Sequence, residues 1–272
     1  MQTAHPSVTP DRLMQFAFAY APTLIIEAAL HHRVFDLLDQ GAMTVEQLSQ
    51  ATGSSARGLR ILLNALVSLD FLAKDADHTY RLTPESATFL VTTKPTFQGG
   101  LFRHTSTQLI PKWLHLNEVV RTGKPSTAIN QEAVGAEFFQ QFVNDIFPTS
   151  YPAALALATA LNVAQVQHPF YVLDLAAGSG VWGITLAQQS PLVHVTAIDW
   201  PGVIPVTQQN IDRFGLSDRV HCIQGDLLAV DFPTGCHLAT LGHIIHSEGE
   251  TRSRQLLHNV FSALADRSRI GV

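Results

Sequence analysis

Three aspartates stand at the ends of short β-rich runs, where a carboxylate can accept hydrogen bonds from hydroxyls and amines. Asp174 lies in Phe170-Tyr171-Val172-Leu173-Asp174-Leu175, Asp199 closes Val193-His194-Val195-Thr196-Ala197-Ile198, and Asp226 follows a β-rich run at 220–224. Between the first two lies Ala176-Ala177-Gly178-Ser179-Gly180, a small-residue loop that leads into a helical pattern at 182–189. Strand, glycine turn and helix in that order suit close backbone approach: with no side chains at Gly178 and Gly180, a ligand can sit over the turn and meet the first amides of the helix. Asp199, twenty-one residues beyond Gly178, has the spacing of an acid that accepts from both hydroxyls of a ribose. Asp226, in Gly225-Asp226-Leu227-Leu228, is suited to an adenine amino group.

A candidate base follows. His246 ends Leu241-Gly242-His243-Ile244-Ile245-His246, and an imidazole that titrates near neutrality suits removal of a proton from a hydroxyl. With thirteen histidines in the chain, a helix-cap or surface role for His246 stays open. His243 and His246 form H-x-x-H, but no third ligand is spaced to complete a metal site, so no metal is expected. Nothing places a base beside Cys222 or Cys236, which read as buried thiols of a reducing compartment. Two nucleotide ligands compete at the turn. Gly178-Ser179-Gly180-Val181-Trp182-Gly183 matches G-x-G-x-x-G, and Asp199 has the spacing of a dinucleotide ribose acid; Asp174, a charge inside the first strand, argues against NAD.

These residues require an open α/β sheet. A helix at 208–215, strands at 220–224 and 237–241, a helix at 253–264 and the start of a fifth strand at 269–272 continue the β-α alternation, which implies a mostly parallel sheet with ligands at the carboxyl ends of its strands. The segment 93–165 is helical and aromatic: Phe102, Trp113, Phe138, Phe139, Phe142, Phe147 and Tyr151 are dense enough to line an apolar pocket. Residues 1–92 read as a winged helix. Apolar positions Leu13, Phe16, Ala17 and Tyr20 form a first helix that Pro22 should break, Val34 to Leu38 ends near a Gly41 cap, and Thr44 with Gln47 opens a short helix that stops at Gly53. A helix bearing Leu59, Leu63 and Leu66 and a hairpin around Asp75-Ala76-Asp77-His78 complete it. Its first 90 residues hold six basic side chains against nine acidic ones, the wrong sign for a DNA-facing module.

The chain has 272 residues, 46% hydrophobic and 14% charged, with a formal net charge of -5. Such a composition excludes a disordered chain and disfavours nucleic acid as the main partner. No uninterrupted apolar run reaches membrane-spanning length and the first residues lack a secretory layout, so a cytoplasmic protein is expected.

Asp174-Leu175-Ala176-Ala177-Gly178-Ser179-Gly180, Asp199-Trp200, Gly225-Asp226-Leu227-Leu228 and the run ending at His246 together resemble the motifs of the class I S-adenosylmethionine (SAM) methyltransferases. More narrowly, they resemble the caffeate and acetylserotonin type O-methyltransferases and their bacterial relatives. The resemblance implies a Rossmann-like domain at 166–272, a dimerisation role for the winged helix, and O-methyl transfer to a small aromatic or polycyclic acceptor, with methyl transfer to carbon on the same scaffold, or a catalytically impaired ligand-binding and dimerisation homologue, as the alternatives. By position it implies that Ala176 and Gly178 approach the cofactor's amino-acid part and that Asp199 holds its ribose, with Gly180 and Asp174 in the same site, although an acid beside a glycine turn can equally serve to fix the turn. Trp200 and Leu227 then flank the adenine, Asp226 binds its amino group, Gly242 stands where the plant enzymes have a cofactor-touching lysine, and His246 is the base. Ser247-Glu248-Gly249-Glu250 replaces the aspartate and tryptophan of the plant enzymes, which points away from plant phenolics and toward a specialised bacterial metabolite. The resemblance also implies further strands and acids that orient the histidine. The chain is therefore expected to be C-terminally truncated, with weakened SAM affinity and poor turnover.

Overall fold

The computed structural model describes residues 8–126 and 132–272, with side chains at 132–141 and 144 outside the description. Contacts cluster into two units, Met1–Leu114 and His115–Val272, so that the segment 93–165 is divided between them.

The first unit contains α1 (Asp11–Ala17), α2 (Tyr20–His31), α3 (Val34–Leu38), α4 (Val45–Thr52), α5 (Ala56–Ser68), β1 (Leu72–Lys74) and β2 (Tyr80–Leu82). It continues through α6 (Pro84–Phe89), α7 (Gly100–His104), a π-helical turn at Thr105–Leu109 and α8 (Ile110–Trp113). The Thr44–Gln47 capping box forms as the sequence predicts, and Gly53 ends α4 with a left-handed φ of 67°. Leu59, Leu63 and Leu66, at helical spacing on α5, are buried together with Phe35, Leu48 and Tyr80. The wing is the antiparallel β1–β2 hairpin.

Pro22 does not break its helix. It lies in the first turn of α2, where its missing N–H would have had no helical partner. The break falls earlier, at Phe18 and Ala19. The segment Asp11–His31 is long and apolar enough in composition to cross a membrane, contrary to the sequence expectation, but this break divides it into helices of 7 and 12 residues, each short of the roughly 20 a span needs. Leu13, Phe16, Phe18 and Tyr20 are exposed in this unit.

The second unit begins with α9 (Leu116–Thr122), α10 (Glu132–Ala160) and a 3-10 turn at Val163–Gln165, then enters the α/β part. Its elements are β3 (Phe170–Leu175), α11 (Val181–Gln189), β4 (Val193–Asp199), α12 (Ile204–Arg213), β5 (Val220–Gln224), β6 (Cys236–Thr240), α13 (Ile245–Ala263) and β7 (Leu264–Gly271). The strand order is β5-β4-β3-β6-β7, and every pairing is parallel. The chain steps from β3 to β4 on one side and later to β6 on the other, so β3 and β6 flank the switch point where open α/β sheets bind ligands.

Alternation along β3 sends side chains to two cores. Val172 joins Ile184, Val195, Ile211 and Ala158 on the side of α10, α11 and α12, whereas Leu173 and Leu175 join Ala239, Leu256 and Val260 on the side of α13. Two boundaries differ from expectation. α12 starts at Ile204, with Pro205 in its first turn, and β7 starts at Leu264 rather than 269.

Candidate functional site

The glycine turn is built from backbone that most residues avoid: φ is 52° at Ala176, 57° at Gly178 and 76° at Gly180. The open space expected over the two glycines is filled from within the protein. A Cβ on Gly178 would lie 3.3 Å from Val143 Cγ1, and one on Gly180 would lie 2.9 Å from Ile184 Cδ1 and 3.1 Å from Thr207 Cγ2. These glycines therefore serve the positive φ and the packing beneath the turn. Two buried side chains of α12 brace it: Thr207 Oγ1 donates to the Gly178 carbonyl at 2.7 Å, and Asn210 Nδ2 donates to the Ser179 carbonyl at 2.9 Å.

Asp174 is fully buried and points toward α11, as its parity with Val172 requires. Oδ2 accepts the Gly183 amide at 2.9 Å, and Oδ1 accepts the Thr240 hydroxyl at 2.6 Å from the adjacent strand β6. Burial pushes its carboxyl up to about 7 against the opposing effect of these two bonds. The implied ligand contact at Asp174 is thus replaced by a structural one, in which this acid ties β3, β6 and the first turn of α11 together. Gly183 must lack a side chain here, since a Cβ would lie 2.7 Å from Val195 Cγ1 and 2.9 Å from Asp174 Oδ2.

Asp199 ends β4 beside the turn. Its Oδ2 accepts the Gly178 amide at 2.8 Å, and its Oδ1 accepts the Trp200 amide at 2.7 Å. Desolvation outweighs both bonds and raises this carboxyl to about 6. Among the described residues no cation is paired with it, and it has capacity for further donors such as hydroxyls. The Gly225 amide donates to the Asp199 carbonyl at 2.9 Å and so joins the third acidic tip to the second. There Asp226 Oδ1 accepts the Leu228 amide at 2.9 Å and Arg252 Nη2 at 2.9 Å. Partial burial opposes ionisation of Asp226, but the Leu228 bond and the Arg252 guanidinium together hold its carboxyl below the usual range.

Trp200 packs beside Val143, Val203 and Val206, leaving it partly exposed next to Asp199. Leu227, expected to flank an adenine, is 7% exposed and belongs to the core with Leu175, Ile198 and Leu241. Gly242 is obligatory for a reason the sequence did not disclose: a Cβ there would lie 2.0 Å from Trp182 Nε1, so the indole occupies that space. His246 lies in the first turn of α13, just past β6, and is exposed. His243 lies in the intervening turn with a φ of 62°. Among the described residues no group of three or more His, Cys, Asp or Glu side chains is gathered as for a metal ion. Burial pushes the Cys222 thiol up to about 11, which keeps it protonated near neutrality.

The aromatic residues divide. Phe102 packs on the first unit's core, and Phe147 stacks on Phe214 at a centroid distance of 5.6 Å within the second. Trp113 is exposed, Phe142 is partly buried, and Phe138 and Phe139 lie outside the described side chains.

The polar groups fit an adenosyl ligand: two ionisable carboxylates lie at the tips of neighbouring strands, and one of them is desolvated, with no cationic partner among the described residues. Comparisons with known proteins agree. Residues 14–92 match the O-methyltransferase dimerisation domain, and residues 113–272 match the O-methyltransferase domain. The chain is 27% identical over 261 residues to 3-hydroxy-5-methyl-1-naphthoate 3-O-methyltransferase of Streptomyces sahachiroi, covering 94% of this chain and 74% of that protein. A solved structure from Nostoc punctiforme, assigned as an O-methyltransferase, superposes with a TM-score of 0.85 at 27% identity, covering 97% of this chain and 79% of the other. Human N-acetylserotonin methyltransferase in complex with SAM shares the fold, with a TM-score of 0.82 at 22% identity over 99% and 80% of the two chains. The second of these two domain matches alone takes in more than half of the chain, and the chain belongs to the SAM-dependent O-methyltransferase family that pairs a dimerisation domain with a catalytic one.

Proposed function

We propose that this enzyme methylates a hydroxyl of a small aromatic or polycyclic metabolite, with His246 as the general base. When bound, SAM supplies the methyl group on a sulfonium carbon. Asp199 holds the ribose hydroxyls, Asp226 accepts the adenine amino group, Ala176 and the glycine turn face the amino-acid part, and Trp200 lies beside the adenine. His246 takes the proton from the acceptor hydroxyl as its oxygen becomes nucleophilic. The observation that carries this reading is the common location of these groups at the carboxyl ends of β3, β4, β5 and β6, on either side of the switch point. His246 is exposed there, in reach of an incoming acceptor. The naphthoate substrate named for the Streptomyces relative supports a hydroxylated fused aromatic ring as the acceptor class. Within the second unit, Phe142 supplies an acceptor-facing side chain.

The reading includes a cytoplasmic homodimer formed through the first unit. Support comes from the match of residues 14–92 to a dimerisation domain and from the exposed apolar Leu13, Phe16, Phe18 and Tyr20. Both cysteines are free, in keeping with a reducing compartment.

The test is His246→Gln, assayed against an acceptor found by screening hydroxynaphthoates. Methyl transfer falls by at least about a hundredfold, while calorimetry finds S-adenosylhomocysteine (SAH) affinity within twofold of wild type. Undiminished transfer by the variant would remove His246 from the role of base.

A further inference from the structure

The helix that begins at His246's turn is not continuous. Gly249 has φ 71° and ψ 169°, so residues 245–248 form a separate turn ahead of the main body of α13. The interruption removes part of the hydrogen-bond ladder that would otherwise fix that turn. Side chains bridge the gap instead. Ser253 Oγ donates to the Ile245 carbonyl at 3.2 Å, and Arg252 Nε donates to Glu248 Oε2 at 2.5 Å. Glu248 is 8% exposed, and among the described residues Arg252 is the group hydrogen-bonded to its carboxylate. The same guanidinium reaches the other way, to Asp226 Oδ1 at 2.9 Å.

We infer that Arg252 is a positioning residue: it ties Asp226 to the His246-bearing turn through Glu248, so that occupation of the adenosyl end is felt at His246. The inference rests on the assignment of Asp226 to adenine and of His246 to the acceptor. The geometry gives it a mechanism. Leu228 and Arg252 both donate to Oδ1, which leaves Oδ2 for an amino group. Arg252 holds the carboxylate with Oδ2 presented, and an N–H arriving there restricts the carboxylate further, and with it the guanidinium and the Glu248 that it holds. A buried carboxylate that depends on one cation transmits such a change directly to its own turn. By linkage, whatever fixes the turn also alters affinity at the adenosyl end, by about twofold or less because a single ion pair on a short turn carries the coupling.

The experiment uses the full chain labelled with 13C at histidine Cε1, the His246 signal being identified by its loss in His246→Gln. In the wild type, saturation with SAH shifts that signal. In Arg252→Met, SAH binds about tenfold more weakly, the loss of one charge-assisted contact, and at saturation the His246 signal does not move. In Glu248→Met, which leaves the Arg252–Asp226 bond in place, affinity stays within twofold and the signal again does not move. This second variant answers the question if Arg252→Met fails to fold. A wild-type shift at saturation in either folded variant overturns the inference, as does wild-type affinity in Arg252→Met. Asp226→Asn separates the two levels. Unchanged SAH affinity there removes the adenine assignment and the inference with it, whereas weakened affinity there with wild-type behaviour in Arg252→Met overturns the inference alone.

Discussion

The turn after β3 and the turn after β6 sit side by side at one end of the sheet, yet they are held in opposite ways. The first is cross-braced from four elements: Asp174 on β3, Asp199 on β4, and Thr207 and Asn210 on α12 each hydrogen-bond its backbone or its flanking helix, while Val143 of α10 packs over Gly178. The second carries an exposed His246, is followed by a helical break at Gly249, and is secured by Arg252 and Ser253 across that break. A cofactor is the same molecule in every turnover, and a prearranged site lowers the ordering cost of binding it. A base, the role proposed for His246, must meet an acceptor that arrives and leaves, so its segment draws on fewer fixed contacts.

If the bracing of the first turn is structural, breaking it costs stability before it costs chemistry. Asp174→Ala leaves the Gly183 amide and the Thr240 hydroxyl buried and unpaired, and a fall of about 3 kcal/mol in unfolding free energy is expected from urea titration. Asp174→Asn has a different signature. A folded-state carboxyl near 7 binds its proton more tightly than the unfolded chain does, so its contribution to stability is fully present below about pH 4 and is lost as pH rises toward about 7. Denaturation midpoints should decline with pH over that window in the wild type, and less so in Asp174→Asn. Thr207→Val is milder. It removes one brace from Gly178, at a cost of about 1 kcal/mol, with a parallel weakening of SAH binding seen by calorimetry. The smallest effect belongs to Asp199. Its carboxyl near 6 must be ionised to accept two hydroxyl donors, so SAH should bind about fourfold more weakly at pH 5.5 than at pH 8. The same affinity at both pH values would detach Asp199 from the ribose.

The motifs that made the cofactor end legible were local: a strand ending in an acid, a glycine turn and a helix start, all within consecutive residues. What escaped sequence reading was contributed from a distance. Thr207, Asn210 and Val143 reach the turn from α12 and α10, and no spacing rule connects them to it. The indole of Trp182 fills the space beside Gly242, sixty residues away in the chain. For Asp174 the sequence left a ligand contact and a turn-fixing role open, and parity with Val172 turns its side chain to α11, where it accepts from Gly183 and Thr240. Boundaries failed where two patterns overlap: Leu256, Val260 and Leu264 keep helical spacing into the first residue of β7, and only pairing with Cys236 ends the helix there.

The most direct test of the contrast is a calorimetric titration of SAH into the wild type, Asp199→Asn and His246→Gln, with NAD as the control ligand. The account predicts that SAH binds the wild type and His246→Gln alike, binds Asp199→Asn at least about tenfold more weakly, and that NAD gives no heat. Binding of NAD in place of SAH, or equal SAH affinity in the wild type and Asp199→Asn, would contradict it.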